Sequence, residues 1–341
     1  MRIRGFITHK EAERYEDCQD FFKIDIDRKV LAISDGMSQS IFPQWWAEIL
    51  AKAYINGWVP DSSDLGELRK EWKSKVIGFL EKQKQENKPT WMLENCLAER
   101  KGAGATLCGI RFSKCDYKGH VLGDSCLVCV GGHNEIEKIV RSQDGDFGNH
   151  PDYFDSIAGG KGTVKSINGI LKERCKLLLV TDAIAEFLYS KRNESQMQDF
   201  ISQLLQIKNH ADFCNFIKGW RTTEGLHNDD STLIIIENDG NDAFEVEYED
   251  DLHELCRQEK EETVQEVEMQ TTEALPKSDD KEDELLYLLD ELKNICEKIR
   301  CYIDTIKKSN TRKSNLQFAK LRNINIKKLK AKVNDLFNLI K

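Results

Sequence analysis

Val30-Leu31-Ala32-Ile33-Ser34 runs straight into Asp35-Gly36, and Lys176-Leu177-Leu178-Leu179-Val180-Thr181 runs into Asp182. Ser231-Thr232-Leu233-Ile234-Ile235-Ile236 starts directly after Asp229-Asp230. Short apolar runs with polar ends read as strands. If neighbouring strands are antiparallel, the end of one and the start of the next lie on the same sheet edge, so three carboxylates converge there. Asp20, ahead of the run Phe21 to Asp27, and Asp124, in the Gly123-Asp124-Ser125 corner, add two more. Turns and caps account for any single aspartate beside a strand. Five in this arrangement point instead to a cation, because clustered carboxylates repel one another unless positive charge lies between them. An all-oxygen donor set favours Mg²⁺ or Mn²⁺ over zinc.

Outward from that edge, further strands are expected at Thr106 to Phe112 and across His120 to Val130. Helical periodicity covers Pro43 to Ile55, Leu65 to Lys84, Thr90 to Arg100 and Ser195 to Trp220. Strand pairs, then helices, then strand pairs again indicate an α/β sandwich rather than a βαβ repeat. The Trp45-Trp46 pair on the first helix reads as core and rim rather than as a substrate platform. Cys126 and Cys129 have an odd separation within a strand, which turns them to opposite faces and argues against a zinc or redox pair. The glycines of Ile157 to Gly162 lack phosphate-loop spacing and read as a loop over the cleft. His227 reads as a loop residue near Asp229 rather than a ligand.

Charge divides the chain. Residues 239–284 hold 19 acidic and 4 basic side chains, whereas residues 307–341 hold 11 basic and 1 acidic. The expected organisation is therefore a catalytic domain over 1–237, an acidic linker over 238–280 and a basic helical extension over 281–341. In the extension, Leu285, Leu288, Leu292, Ile295, Ile299, Tyr302 and Ile306 form a heptad seam. It either pairs with Leu316 to Ile340 as an intramolecular helical hairpin or self-associates through 285–306 as a coiled coil. The basic tail suggests nucleic acid, but lysines on a solvated helical face beside an acidic segment explain it better. With 32% charged residues, no apolar run of membrane-spanning length and no basic-then-apolar leader, no membrane partner is expected and the location expected is cytoplasmic. Eleven cysteines without a regular framework fit a reducing compartment.

Six motifs, CQDFF at 18–22, AISDGMSQS at 32–40, GAGATLCGI at 102–110, VLGDSCLVCV at 121–130, LLLVTDAIAEF at 177–187 and NDDSTLIII at 228–236, occur in one order and spacing. In these the chain resembles the metal-dependent protein phosphatase 2C family over about residues 1–237, in its bacterial-type branch. The resemblance implies an antiparallel β-sandwich flanked by helices, a four-layer αββα arrangement, with two Mn²⁺ or Mg²⁺ ions at one end and a third in some members. It also implies hydrolysis of phosphoserine and phosphothreonine by a metal-bound hydroxide, in a bacterial kinase–phosphatase signalling system. The partners implied are a phosphoprotein substrate and a cognate Ser/Thr kinase. Asp35 resembles the bridging carboxylate and Gly36 offers its carbonyl. Asp182 and Asp229 resemble the remaining ligands of the first metal, Asp20 that of the second and Asp124 that of the third.

The departures are Ala183 for a glycine, Cys126 for an arginine and Met37 for the histidine of eukaryotic members. The phosphate-gripping arginine is displaced by one position to Arg14, with Arg4 as a rival. A reading of another class is a catalytically weak phosphatase-like scaffold that assembles a signalling complex through its C-terminal helices. The retained Asp20, Asp35, Asp182 and Asp229 argue for the enzyme.

Overall fold

The chain forms two compact units, Met1–Thr263 and Val264–Lys341. The structure, a computed structural model, describes residues 1–60, 65–142, 151–157, 160–190, 194–241 and 243–261. The expected heptad seam and second tail helix lie outside the described residues.

In chain order the first unit contains β1 (Arg2–Thr8), β2 (Asp20–Asp25), β3 (Val30–Asp35), α1 (Pro43–Ile55), α2 (Gly66–Gln85) and α3 (Trp91–Ala98). There follow β4 (Gly104–Ala105), β5 (Leu107–Ser113), β6 (Asp116–Leu122), β7 (Cys126–Val130) and β8 (Ile136–Val140). Next come β9 (Tyr153–Asp155), β10 (Gly160–Lys161), β11 (Lys165–Ile170), β12 (Lys176–Val180) and α4 (Asp182–Tyr189). The last named elements are α5 (Glu194–Leu204), α6 (His210–Thr223), β13 (Ser231–Glu237) and β14 (Glu245–Glu249).

Two larger sheets result, ordered β14-β1-β13-β12-β7-β8 and β11-β6-β5-β3-β2, with a small sheet β10-β9-β4 beside them. Their pairings are antiparallel except β1 with β14, which is parallel. One core, including Ile3, Ile33, Leu179 and Ile234, joins the facing sheets. A second, including Val128, Leu178, Ile235, Phe200 and Phe213, packs α4 to α6 onto the other face of the first sheet. A third, including Ala32, Trp46, Leu50 and Trp72, packs α1 and α2 onto the second sheet. The order of layers is therefore helices, sheet, sheet, helices. β13 has both faces covered, so its apolar run is continuous and buried from Ser231 to Ile236.

Several sequence expectations change. The run from His120 to Val130 is two strands in different sheets, because Gly123 (φ 99°) turns the chain from β6 to β7. A Cβ at Gly123 would lie 2.5 Å from Thr106 Cγ2, so the corner requires glycine on both counts. The helix expected over Ser195 to Trp220 is two helices. Asn209 caps α6 by accepting from Asp212 N at 3.0 Å, and the carbonyls of Leu205 and Ile207 ahead of it bond to the Arg4 guanidinium. Trp46 is buried with its Nε1 donating to Phe154 O, and Trp45 stacks on Phe42, as a core and rim pair does. Cys126 packs toward the helices and Cys129 toward the other sheet, on opposite faces of β7.

The first unit also continues past Glu237. In β14 every second residue is glutamate, while Val246 packs on the core between the sheets and Tyr248 on the helical side. Residues 252–261 are helical, with His253 3.1 Å from Glu48 and Glu259 accepting from Tyr15 N. Acidic composition thus marks an exposed edge strand and helix over part of what reads as linker. Among the described residues, no helix is long and apolar enough to cross a membrane.

Candidate active site

Asp20 opens β2 and Asp35 closes β3, and the register sets the two directly opposite one another. Asp35 N is held by Thr106 Oγ1 at 3.2 Å, and Thr106 N donates to the Asp35 carbonyl at 2.8 Å. Gly36 sits where a Cβ would lie 2.7 Å from Pro43 Cβ and 2.8 Å from Gln19 O. Glycine is required there by the close approach of α1 and the β2 strand end. Thr106 Oγ1 also meets Ser125 Oγ at 2.7 Å, tying the Asp35 turn to the Asp124 corner.

The other sheet contributes Asp182, in the first turn of α4, and Asp229, two residues ahead of β13. Asp20 links the two sheets. Its Oδ2 accepts from Thr181 Oγ1 at 2.8 Å and Thr232 Oγ1 at 2.7 Å, hydroxyls at the end of β12 and the start of β13. Asp20 Oδ1 and Asp124 Oδ1 are buried without a hydrogen-bond partner. A buried carboxylate oxygen left unpaired is costly and marks a place where a cation fits.

The electrostatics agree. Burial, followed by the charges of Asp182, Asp20, Asp124 and Asp229, raises Asp35 well above the usual carboxylate range. Burial and Asp124, Asp229 and Asp20 do the same to Asp182. Burial and Asp230 push Asp20 up to about 8, against the two threonine hydrogen bonds. Burial pushes Asp124 up to about 6, opposed by Arg141 among others. Five like charges therefore act on one another across one end of the sandwich. In the side-chain positions as they stand, no group of three or more His, Cys, Asp or Glu among the described residues is gathered closely enough to hold an ion. The all-oxygen donors and the two orphaned oxygens fit Mg²⁺ or Mn²⁺, with side-chain adjustment on binding.

Sequence reasoning missed the cations and hydroxyls at this edge. Lys10 Nζ, after β1, lies 3.2 Å from Asp229 Oδ1 and 3.8 Å from Asp230 Oδ2. Although burial opposes its charge, Asp230, Asp229 and Glu13 raise its pKa above the ordinary range. Arg221 donates to the Asp229 and His9 carbonyls. Asp230 accepts from the backbone N–H groups of Lys10 and Gln19. The hydroxyls had a signal, since Thr181 precedes Asp182 and Thr232 follows Asp229 by three. Lys10 and Arg221 had none.

Arg14 lies exposed at the entry to a 3-10 turn, Tyr15–Asp17. Arg4 is buried, bound to the Leu205 and Ile207 carbonyls and to Glu237 at 2.9 Å, which commits it to the α5–α6 turn. His227 is exposed, and its carbonyl accepts from Asp229 N. In the 157–162 stretch, Gly160–Lys161 pairs with β9, while residues 158–159 lie outside the described residues.

No family model matches the sequence, and no curated protein matches it. Solved phosphatases are similar to it. The photosystem II phosphatase PBCP is 14% identical, over 68% of this chain and 96% of that one, with a TM-score of 0.43. The S. agalactiae serine/threonine phosphatase is 15% identical, over 69% and 98%, with a TM-score of 0.44. Stp1 from Staphylococcus aureus is 15% identical, over 69% and 95%, with a TM-score of 0.38. In the six motifs of its sequence the chain resembles the protein phosphatase 2C family.

The raised pKa of Asp20 carries a stability prediction. Its folded value of about 8 exceeds the unfolded value of about 3.9. Between those values the native state holds a proton that the unfolded chain releases, so stability falls as pH rises through the window. In EDTA the protein should melt lower at pH 8 than at pH 5, by about 2–4 °C for each kcal/mol lost. Mg²⁺ should restore the melt at pH 8, and Asp20→Asn should reduce the pH difference, the remainder coming from Asp35, Asp182 and Asp124. Equal melting temperatures for the wild-type protein in EDTA at both pH values would refute this account.

Proposed function

We propose that this chain is a metal-dependent phosphatase that releases phosphate from phosphoserine and phosphothreonine in proteins. The observation that carries the reading is the set of Asp20, Asp35, Asp124, Asp182 and Asp229, drawn from both sheets to one edge, with buried oxygens of Asp20 and Asp124 unpaired. Divalent cations bound there would supply an activated water and neutralise charge on the phosphoryl oxygens. Asp35, Asp182, Asp229 and the Gly36 carbonyl would hold one cation, and Asp20 with Asp35 would hold a second. Asp124 is the candidate for a third. Thr181 and Thr232 fix the Asp20 carboxyl, so the charge it presents is set by the junction of the sheets rather than by a mobile side chain. Arg221 anchors the Asp229 turn through its backbone. A cognate kinase as partner, docked through the C-terminal extension, and a cytoplasmic location belong to the same proposal.

Lys10 supports a second reading. Its ammonium, 3.2 Å from Asp229 Oδ1, supplies positive charge where the first reading needs a metal, as suits a phosphatase-like scaffold with little turnover. Phosphate release from a phosphoserine peptide and from p-nitrophenyl phosphate, in EDTA and after Mn²⁺ or Mg²⁺, separates the two. The enzyme is expected to be silent in EDTA and active on both substrates with metal. No turnover under any metal condition, for wild type and Lys10→Ala alike, would favour the scaffold.

A further inference from the structure

On α6, His210 and Cys214 are one turn apart on the same face, and elements remote in sequence close around them. Cys214 Sγ lies 3.2 Å from His210 Nε2, 3.4 Å from Thr8 Oγ1 on β1 and 3.7 Å from the Tyr15 hydroxyl. Tyr15 OH is also 2.7 Å from His210 Nε2. On the other side of the ring, His210 Nδ1 is 3.0 Å from Asp250 Oδ2. The buried Asp250 carboxylate is fixed by Ile7 N on one oxygen and the Tyr248 hydroxyl on the other. A carboxylate on Nδ1 keeps that nitrogen protonated and leaves Nε2 directed at the sulfur.

We propose that Cys214 is a reactive thiolate site, in which the His210–Asp250 pair and the Thr8 and Tyr15 hydroxyls hold the sulfur for attack on a small peroxide. The sulfur bonds to one peroxide oxygen as the O–O bond breaks. Sulfur loses two electrons and the peroxide gains them. The departing hydroxide takes a proton from the His210 imidazolium and leaves as water, and Cys214 becomes a sulfenic acid.

The surrounding charges act in the same direction. Burial opposes an ionised thiol, but His210, Thr8 and Tyr15 outweigh it and lower Cys214 below the ordinary thiol range. Burial opposes the imidazolium too, yet Asp250 and Cys214 push His210 up to about 10. Tyr15, raised by burial and by Cys214, stays a phenol and a donor. Arg221, further along α6, is lowered by burial, with Glu11, Asp230, Asp229 and the Cys214 sulfur opposing. His9 packs edge-on against Tyr15, and Glu259 accepts from Tyr15 N. Cys214, His210 and Tyr15 are each partly exposed, so a small reagent reaches them. Cys18, Cys108 and Cys126 are buried, and burial raises each. Thiolate character combined with access is what distinguishes a reactive cysteine from an inert one.

The test is peptide-resolved alkylation of the full chain with iodoacetamide. Trypsin releases residues 209–218, in which Cys214 is the only cysteine. Cys96 on α3, also partly exposed, serves as the internal reference. At pH 6.5, Cys214 is expected to react at least about tenfold faster than Cys96, the ratio shrinking toward pH 9 as the reference thiol ionises. His210→Gln should remove that advantage and Tyr15→Phe should reduce it. Hydrogen peroxide followed by dimedone should mark Cys214 ahead of Cys96. Equal rates at pH 6.5 would overturn the proposal. So would an advantage that survives in Tyr15→Phe and in a folded His210→Gln protein, or peroxide labelling of Cys96 first.

Discussion

Asp35→Asn in the full chain should lower Mn²⁺-supported phosphate release by at least 10²- to 10³-fold, on the order of what one preorganised charge-stabilising group supplies, while the fold survives. Negative charge crowds Asp35, with Asp182, Asp20, Asp124 and Asp229 all acting on it. A neutral amide of nearly the same shape keeps the backbone bonds to Thr106, which involve Asp35 N and O rather than its carboxyl. The substitution therefore removes repulsion from the cation-free protein, and its melting temperature in EDTA should be equal to or above wild type. Function and stability move in opposite directions at such a site. Asp182→Asn should behave alike. Calorimetric titration with Mn²⁺ gives a readout independent of turnover, and both variants should show weakened binding. Full activity in both would remove these aspartates from the mechanism.

The position of a C-terminal truncation should have an all-or-none effect. A chain ending at Thr263 retains the first compact unit and should unfold in urea with a single transition. One ending at Glu237 loses β14 from the edge of β1, and with it Asp250, whose buried carboxylate holds Ile7 N, Tyr248 and His210. It also leaves the core contacts of Val246 and Tyr248 uncovered. Each buried hydrogen-bonding group left unpaired costs about 1–3 kcal/mol, against a total stability of about 5–15 kcal/mol for a typical domain. The shorter chain is expected to be largely unfolded or aggregated at 37 °C, judged by near-UV circular dichroism and size-exclusion chromatography. A cooperative urea transition with an unchanged midpoint for the 1–237 chain would show that β14 is an accessory.

The legible parts of this protein are those whose causes are local. Val30–Asp35, Lys176–Val180 and Ser231–Glu237 carry their apolar pattern within a few residues, and α1 runs from Pro43 to Ile55 as its periodicity indicates. The aspartates at the ends of those strands were legible for the same reason, as candidates for one sheet edge. β1 was not, because Arg2 and Arg4 interrupt its pattern. Their partners, Glu237, Glu247 and the α5–α6 carbonyls, are more than 200 residues away. β14 was hidden by glutamates that face outward from an edge strand.

Hydrophobic periodicity and turn chemistry act over a few residues, and they fixed the central apolar strands, Val30–Asp35, Lys176–Val180 and Ser231–Glu237, and the carboxylates at their ends. Tertiary structure alone decided how those carboxylates are held and what stands beside them. Thr232 reaches Asp20 across 212 positions and Lys10 reaches Asp229 across 219. Cys214 acquires Thr8 and Tyr15 as neighbours across about 200 positions, and its helix partner His210 acquires Asp250 across 40. Such contacts depend on sheet register and on how helices pack over the sheets, and no pattern along the chain encodes a pair that only the packed layers bring together.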